Sequence, residues 1–278
     1  MANNKWDVSI VLIEKIASCV NILYQPTHKV RMTKARDKCA LIQQNTYQNL
    51  EKRTMNRVRH EEMSKQENIE KIITKALEQV LETAKPENIE KDFLVHFFDK
   101  CKNTSDEYMQ SLWAKILAGE ANNTGSFSKK TINIMADLSK KDAESFVNLL
   151  KFSFNDFQNN IFFIIDYGDV KKENNLYNQH DITVQTINNL THLNLIEMQS
   201  SGCALQTSCM SFNYLSNQTI KITSSNKNIQ LGHIKITPSG QQLAKIAKTN
   251  EKIDDYFKYT YEFFKKIYPN DTVEIVNS

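Results

Sequence analysis

The stretch LWAKILAGEANNTGSFSKKT, residues 112–131, joins an apolar helix to a turn and then to the start of a second helix. Apolar residues recur at helical spacing as far as Gly119, and a glycine commonly ends a helix in the left-handed conformation. The Asn-Asn-Thr-Gly segment that follows favours a turn, and Ser126 or Ser128 is a suitable cap for the next helix. The stretch therefore predicts a corner between two packed helices.

A second interpretation of this corner is an anion site at the start of the second helix. Its ligands would be Ser128, Lys129 and Lys130, because the first amides of a helix attract negative charge. A phosphate loop, however, requires a preceding strand and a second loop glycine. Here a helix precedes and Gly125 stands alone in the loop, so the pattern favours a structural corner over an anion site.

Helical patterns continue on both sides of the corner. The chain has only 6 Gly and 4 Pro in 278 residues, which is typical of a helix-rich protein. Thr104 with Glu107, and Ser139 with Asp142, have the spacing of capping boxes at helix starts. These patterns predict a helical bundle over residues 66–154, preceded by a helical arm over residues 1–65.

The pattern changes after residue 154. Residues 181–197 predict a helix followed by a turn, and residues 210–216, 218–224 and 231–238 alternate apolar and polar side chains as half-buried strands do. Thr237 and Pro238 then predict a closing helix. This order predicts a winged helix-turn-helix domain over residues 155–248.

The predicted fold class is therefore mainly α. A helical arm and a central helical bundle precede an α+β winged-helix-like domain, and residues 249–278 form a C-terminal aromatic helix and tail. The apolar seam of that last helix has to be covered by the body of the protein or by a partner chain.

Positive charge is concentrated near the N-terminus. Residues 28–60 hold nine Lys/Arg against two Asp/Glu, although the formal charge of the whole chain is only +3. Such a basic arm can contact the phosphates of DNA or RNA, but it can also be a solvated helix face. The candidate contacts are Arg31, Lys34, Arg36, Arg53, Arg57 and Arg59.

The predicted winged-helix domain supplies a second set of candidate contacts with nucleic acid. The recognition helix would present Gln185, Asn188 and Asn189 to base edges, and the hairpin would present Lys221 and Lys235 to phosphates. Because the recognition helix contains no Lys or Arg, a protein partner is an equally good interpretation of this domain.

No enzymatic or cofactor motif is evident, and the sequence predicts neither a cofactor nor a bound metal. His192, Cys203, Cys209 and His233 have no common zinc spacing. Asp166 could pair with Asp169 as catalytic carboxylates, but a turn explains the DYGD segment better. The five scattered cysteines fit a reducing cytoplasm.

Several short segments carry a family resemblance. They are LWAKILAGE, NNTGSFSKKT and LSKKDAESF, together with LYQP, ENIE and a C-terminal LNLIE followed by ITPSGQQL. In these segments the chain resembles a family of uncharacterised bacterial proteins related to the Abi-alpha abortive-infection group. The resemblance implies a cytoplasmic protein acting in defence against phage, and it supplies no catalytic residues.

These observations predict a non-enzymatic, cytoplasmic, homo-oligomeric interaction protein that binds nucleic acid, or else a phage or host protein. One alternative is an abortive-infection effector that acts on a membrane through the apolar helix of residues 6–24. Another is an enzyme with its site at the corner of residues 119–130. We regard membrane contact as the less favoured of the partner interpretations, because the flanks of that helix lack a Lys/Arg-rich face.

Overall fold

The computed structural model describes residues 2–20, 47–172, 175–214, 218–247, 251 and 253–277. Arg31, Lys34 and Arg36, three of the predicted nucleic-acid contacts, lie outside these residues. The chain divides into two compact units, Met1–Ile132 and Asn133–Ser278.

The first unit is helical. Its helices, with a short 3-10 turn at Pro86–Asn88 between the second and third, are α1 (Ala2–Val20), α2 (Tyr47–Leu77), α3 (Lys91–Cys101) and α4 (Glu107–Asn122), and α5 (Lys129–Asp137) begins at its end. The cap of α4 is Asp106, whose carboxylate accepts the Met109 N–H at 3.0 Å, so the predicted box of Thr104 with Glu107 is wrong by two residues at the cap position.

The core of the first unit is built from helix faces with regular apolar spacing. Ile69, Ile72 and Ile73 of α2 are buried, because residues three and four apart share one side of a helix. Trp113 of α4 is also buried, and its ring meets that of Phe97 edge-on at 5.2 Å between centroids. The helical spacing of these apolar residues thus coincides with their burial.

The second unit combines helices and strands. After α5 come the helices α6 (Lys140–Leu150), α7 (Tyr167–Val170), α8 (Val184–His192), α9 (Pro238–Ala247) and α10 (Asp254–Ile267). The strands are β1 (Ser153–Asn155), β2 (Ile161–Phe163), β3 (Ile196–Leu205), β4 (Cys209–Tyr214), β5 (Gln218–Thr223), β6 (Ile229–Ile236) and β7 (Thr272–Asn277).

The predicted fold class is wrong: the protein is an α+β mix with two antiparallel sheets. One sheet has the order β2-β1-β4-β5-β7, and the other consists of β3 and β6. We expected the three strand-like runs to form one winged-helix hairpin. Instead β6 leaves β4 and β5 and pairs with β3, and the expected tail supplies β7 as a neighbour of β5. Local alternation identifies strands but does not determine which strands pair.

Helix α10 contributes its aromatic seam to the core of the second unit. Tyr256 and Phe264 are fully buried, and the Phe264 ring stacks on Phe212 of β4 at 5.7 Å between centroids. The Tyr256 hydroxyl donates to the backbone oxygen of Ile164 at 3.1 Å, which satisfies its polar atom inside the core. The body of the protein thus buries these aromatic residues.

Candidate nucleic-acid interface

The first half of α2 is exposed to solvent. Every residue from 50 to 64 is exposed, whereas Ile69, Ile72 and Ile73 further along the helix are buried. The buried turns anchor the helix in the first unit, and the preceding four turns present side chains on all sides. A long helical segment with this exposure is suited to contact a partner.

Positive charge in this segment is confined to one side. At about 100° per residue, Lys52, Arg53, Arg57, Arg59 and His60 fall within an arc of about 160°. We call these five residues the basic face. The nearest acidic residues of the helix, Glu51, Glu61 and Glu62, fall outside that arc.

Arg57 of the basic face takes part in an ion pair. Arg57 Nη1 lies 2.7 Å from Glu61 Oε1, and the two side chains are 64% and 46% exposed. Exposed pairs of this kind contribute about 0.3–0.5 kcal/mol in a helix. The pair is therefore weak enough for Arg57 to exchange Glu61 for a phosphate.

The predicted recognition helix α8 has a polar outer side without cations. Gln185, Asn188 and Asn189 are all exposed and lie together, since they are three and four residues apart. The Asn189 side-chain N–H, however, donates to Asp142 Oδ1 at 2.6 Å. A carboxylate at this position repels phosphates, so α8 is a poorer candidate than α2.

The structure does not bring the two predicted hairpin lysines together. Lys221 lies in the five-stranded sheet opposite Glu274, whereas Lys235 lies in the two-stranded sheet opposite Glu197. Each lysine thus has an acidic residue as its cross-strand neighbour. Opposite charges in these positions stabilise each other and reduce the local positive potential.

At the corner of residues 112–131 the loop amides bind a carboxylate from the protein itself. Glu120 is buried, and its two oxygens accept the N–H of Gly125 at 2.6 Å and of Phe127 at 3.1 Å. Burial raises the pKa of Glu120, and these backbone hydrogen bonds partly offset that effect. This role of Glu120 is not predicted by the sequence.

The three residues of the predicted anion site are placed around the start of α5. Ser128 Oγ accepts the Thr131 N–H at 3.1 Å, as a helix cap does. Lys129 Nζ lies 3.9 Å from Asp92 Oδ2, and both Lys129 and Lys130 are exposed. With Ser128 acting as a cap and Glu120 holding the loop, the geometry favours a structural corner.

A cluster of ionisable side chains lies beside α7. Sequence patterns alone do not group these residues together. Asp166 Oδ1 accepts the Gly168 N–H at 2.7 Å and lies 3.6 Å from His233 Nδ1. Asp169 is hydrogen-bonded to Lys172 and to Tyr259. Tyr259 and His233 are far from the DYGD segment in the sequence, so no local spacing signals this cluster. Among the described residues, no three His, Cys, Asp or Glu form a candidate metal site.

The first helix packs against its own unit. Leu12 and Ile16 of α1 are buried, and Lys15 Nζ donates to the backbone oxygen of Glu87 at 3.0 Å. Across the described ranges, no helix has both the length and the apolar character required to cross a bilayer.

The fold and the basic face define an α+β protein with an exposed cationic helix. A family model described as protein of unknown function (DUF2806) matches residues 52–260, and the chain belongs to this family. The match begins at Lys52, within the basic face. No curated protein matches the chain, and no solved structure does either.

Proposed function

We propose that the protein binds nucleic acid through the basic face of α2 and that it has no enzymatic activity. The observation that carries the proposal is the grouping of Lys52, Arg53, Arg57 and Arg59 on one side of a fully exposed helical segment. Lys and Arg on such a surface displace the counterions of a phosphate backbone, and this release drives association.

The proposed binding is independent of base sequence. Specific readout requires side chains that reach base edges, and the amide-bearing side of α8 lacks the cations that would hold it against phosphates. On α2 we assign the interaction to the cations of the basic face, and the exposed Asn56 lies within the same arc. Contacts with phosphates therefore account for the interaction that we propose.

The biological setting is a further part of the proposal. The resemblance to proteins related to the Abi-alpha group implies a cytoplasmic role in defence against phage, and we propose separately that the protein acts as an oligomer. Under this hypothesis the nucleic acid belongs to the phage or to the infected cell. Deleting the gene and measuring plaque formation against a panel of phages tests the setting separately from the binding.

The binding is tested by fluorescence anisotropy with a labelled duplex at several salt concentrations. If the basic face contacts three or four phosphates, log K falls with log salt at a slope of about −3. The variant R53E/R57E/R59E is expected to lose binding. A matched control, K91E/K141E/K258E, makes the same change in net charge at exposed positions outside α2 and is expected to bind normally.

The comparison of the two triple variants separates a local surface from a general charge effect. Equal loss of binding in both would show that only net charge matters and would refute the basic face. A wild-type protein that binds neither duplex nor single strand at low salt would refute the proposed function itself.

The alternative proposal, a membrane-active effector, has weaker support. It requires the apolar side of α1 to face lipid, but Leu12 and Ile16 are buried within the first unit. Co-sedimentation with liposomes of anionic lipid tests this alternative. Binding that disappears when residues 1–25 are deleted, with the rest of the chain still folded, would favour it over the nucleic-acid proposal.

A further inference from the structure

The five-stranded sheet of the second unit is closed at one edge. At β2, the N–H of Ile161 donates to Gln241 Oε1 at 3.1 Å, and Gln241 Nε2 donates to the Ile161 oxygen at 2.9 Å. Just beyond the strand, the His233 N–H donates to the Ile165 oxygen at 2.9 Å. The side chain of Gln241 thus occupies the position that another strand would take.

The opposite edge is formed by β7, whose outer side is open in the part of the chain that the structure describes. This strand pairs with β5 along its whole length, from Thr272 opposite Thr223 to Asn277 opposite Gln218. No other strand in the described ranges pairs with its outer side. An edge strand presents a row of backbone donors and acceptors that an added strand can satisfy.

The apolar face of the sheet continues to this open edge. Val273 and Ile275 lie opposite Ile222 and Ile220 of β5, which are both fully buried. Opposed residues in an antiparallel pair share a face, so Ile275 belongs to the core side of the sheet. It is nevertheless 46% exposed, and an added strand with apolar residues on the same face would cover it.

We propose that β7 pairs antiparallel with β7 of a second copy of the chain, about a twofold axis that passes midway between Ile275 of one copy and Ile275 of the other. The two sheets then join edge to edge into one sheet of ten strands, with Ile275 of one copy opposite Ile275 of the other. The pairing satisfies the outer backbone groups of Val273–Asn277 and buries the exposed apolar margin.

The charge pattern of the strand disfavours two neighbouring registers. Opposed residues of an antiparallel pair share a face. A twofold axis that sets a residue opposite its own copy therefore keeps the core faces of both copies on the same side. A register that sets a residue opposite its sequence neighbour would invert the core face of one copy. An axis through Glu274 would set two glutamates directly opposite each other, which is destabilising. An axis through Val273 would place Ile275 opposite Asp271, whose carboxylate is held by Ser224 and Ser225.

The axis through Ile275 avoids both conflicts. It pairs Val273 with Asn277 and Glu274 with Val276, so that no like charges are directly opposed. The second copy is therefore a partner whose own sequence supplies the strand, the apolar face and a compatible charge pattern. This inference concerns an interface in the second unit and does not depend on nucleic-acid binding.

Sedimentation velocity of the full chain at micromolar concentrations tests the interface. The wild-type protein is expected to be dimeric, and Ile275→Lys and Ile275→Glu alone are each expected to be monomeric, because each sets like charges across the axis. An equimolar mixture of the two variants is expected to form the heterodimer. The control Val276→Lys changes the neighbouring residue on the other face, where it would meet Glu274 of the second copy, and is expected to stay dimeric.

Circular dichroism and thermal unfolding check that each variant is folded. Ile275→Thr is a milder substitution that retains β propensity, and it is expected to weaken the dimer. The proposal is overturned by a monomeric wild-type protein, by dimers that persist in both charged variants, or by a mixture that does not recover the dimer. Equal loss of the dimer in Val276→Lys and Ile275→Lys would also overturn the register.

Discussion

The carboxylate of Glu120 reaches the turn that follows its own helix and accepts the backbone N–H of Gly125 at 2.6 Å. Its second oxygen accepts the Phe127 N–H at 3.1 Å. A buried carboxyl group thus holds the turn between α4 and α5.

Replacement of Glu120 is expected to destabilise the first unit. Glu120→Ala leaves the buried amide of Phe127 without its acceptor, which costs about 1–3 kcal/mol, whereas the amide of the exposed Gly125 can bind water instead. Urea unfolding followed by circular dichroism measures the change. Lys91→Ala, at an exposed position of the same unit, is the control and is expected to change stability by less than about 0.5 kcal/mol. A Glu120→Ala variant as stable as this control would contradict the assigned role.

The ionisation of Glu120 makes stability depend on pH in a defined direction. Burial raises its pKa above the usual 4.5, so the folded protein binds this proton more tightly than the unfolded chain. The resulting stabilisation is fully present below the unfolded pKa and is lost as the pH rises through the folded pKa.

The comparison that isolates this effect is between the wild-type protein and Glu120→Gln, which cannot ionise at this position. We expect the free energy of unfolding of the wild type, relative to the variant, to decrease as the pH is raised from about 4 towards neutrality. Urea titrations at a series of pH values measure it. A difference that grows with pH would show that the amide hydrogen bonds outweigh burial.

Two glycines are predicted to differ sharply in their tolerance of alanine. At Gly240 in α9, an added Cβ would lie 2.1 Å from the backbone oxygen of Leu195, and backbone cannot move aside locally. We expect Gly240→Ala to cost about 3 kcal/mol or more. At Gly125 nothing lies within 4 Å, but φ is +83°, so the cost is limited to about 1–2 kcal/mol of backbone strain. Thermal unfolding of both variants checks the order, and a reversed order would contradict these environments.

Local sequence signals predict much of the helical structure. The capping box of Ser139 with Asp142 is present as expected, and α9 begins at Pro238 after a Thr237 cap. These features depend on residues at most three positions apart. These features can therefore be predicted from a short window of sequence.

Contacts between distant segments account for what the sequence did not predict. The pairing of β3 with β6 and of β5 with β7 depends on which strands meet, and alternating patterns are compatible with many pairings. The same limit applies to His233 beside Asp166 and to Asp142 beside Asn189. The last of these contacts changes the candidate site, because it places an acidic group next to the predicted recognition helix.

A final prediction separates the two candidate surfaces for nucleic acid. The double variant Gln185→Ala/Asn188→Ala removes exposed amides of α8 without altering charge, and we expect its affinity and salt slope to equal those of the wild type. Replacing Arg53 and Arg57 by Ala removes two of the proposed phosphate contacts and should reduce the magnitude of the slope by about two. Anisotropy titrations with duplexes of different sequence measure both. If the α8 variant instead loses affinity, and the loss differs between duplex sequences, then α8 reads the bases. That result would contradict binding by α2 alone.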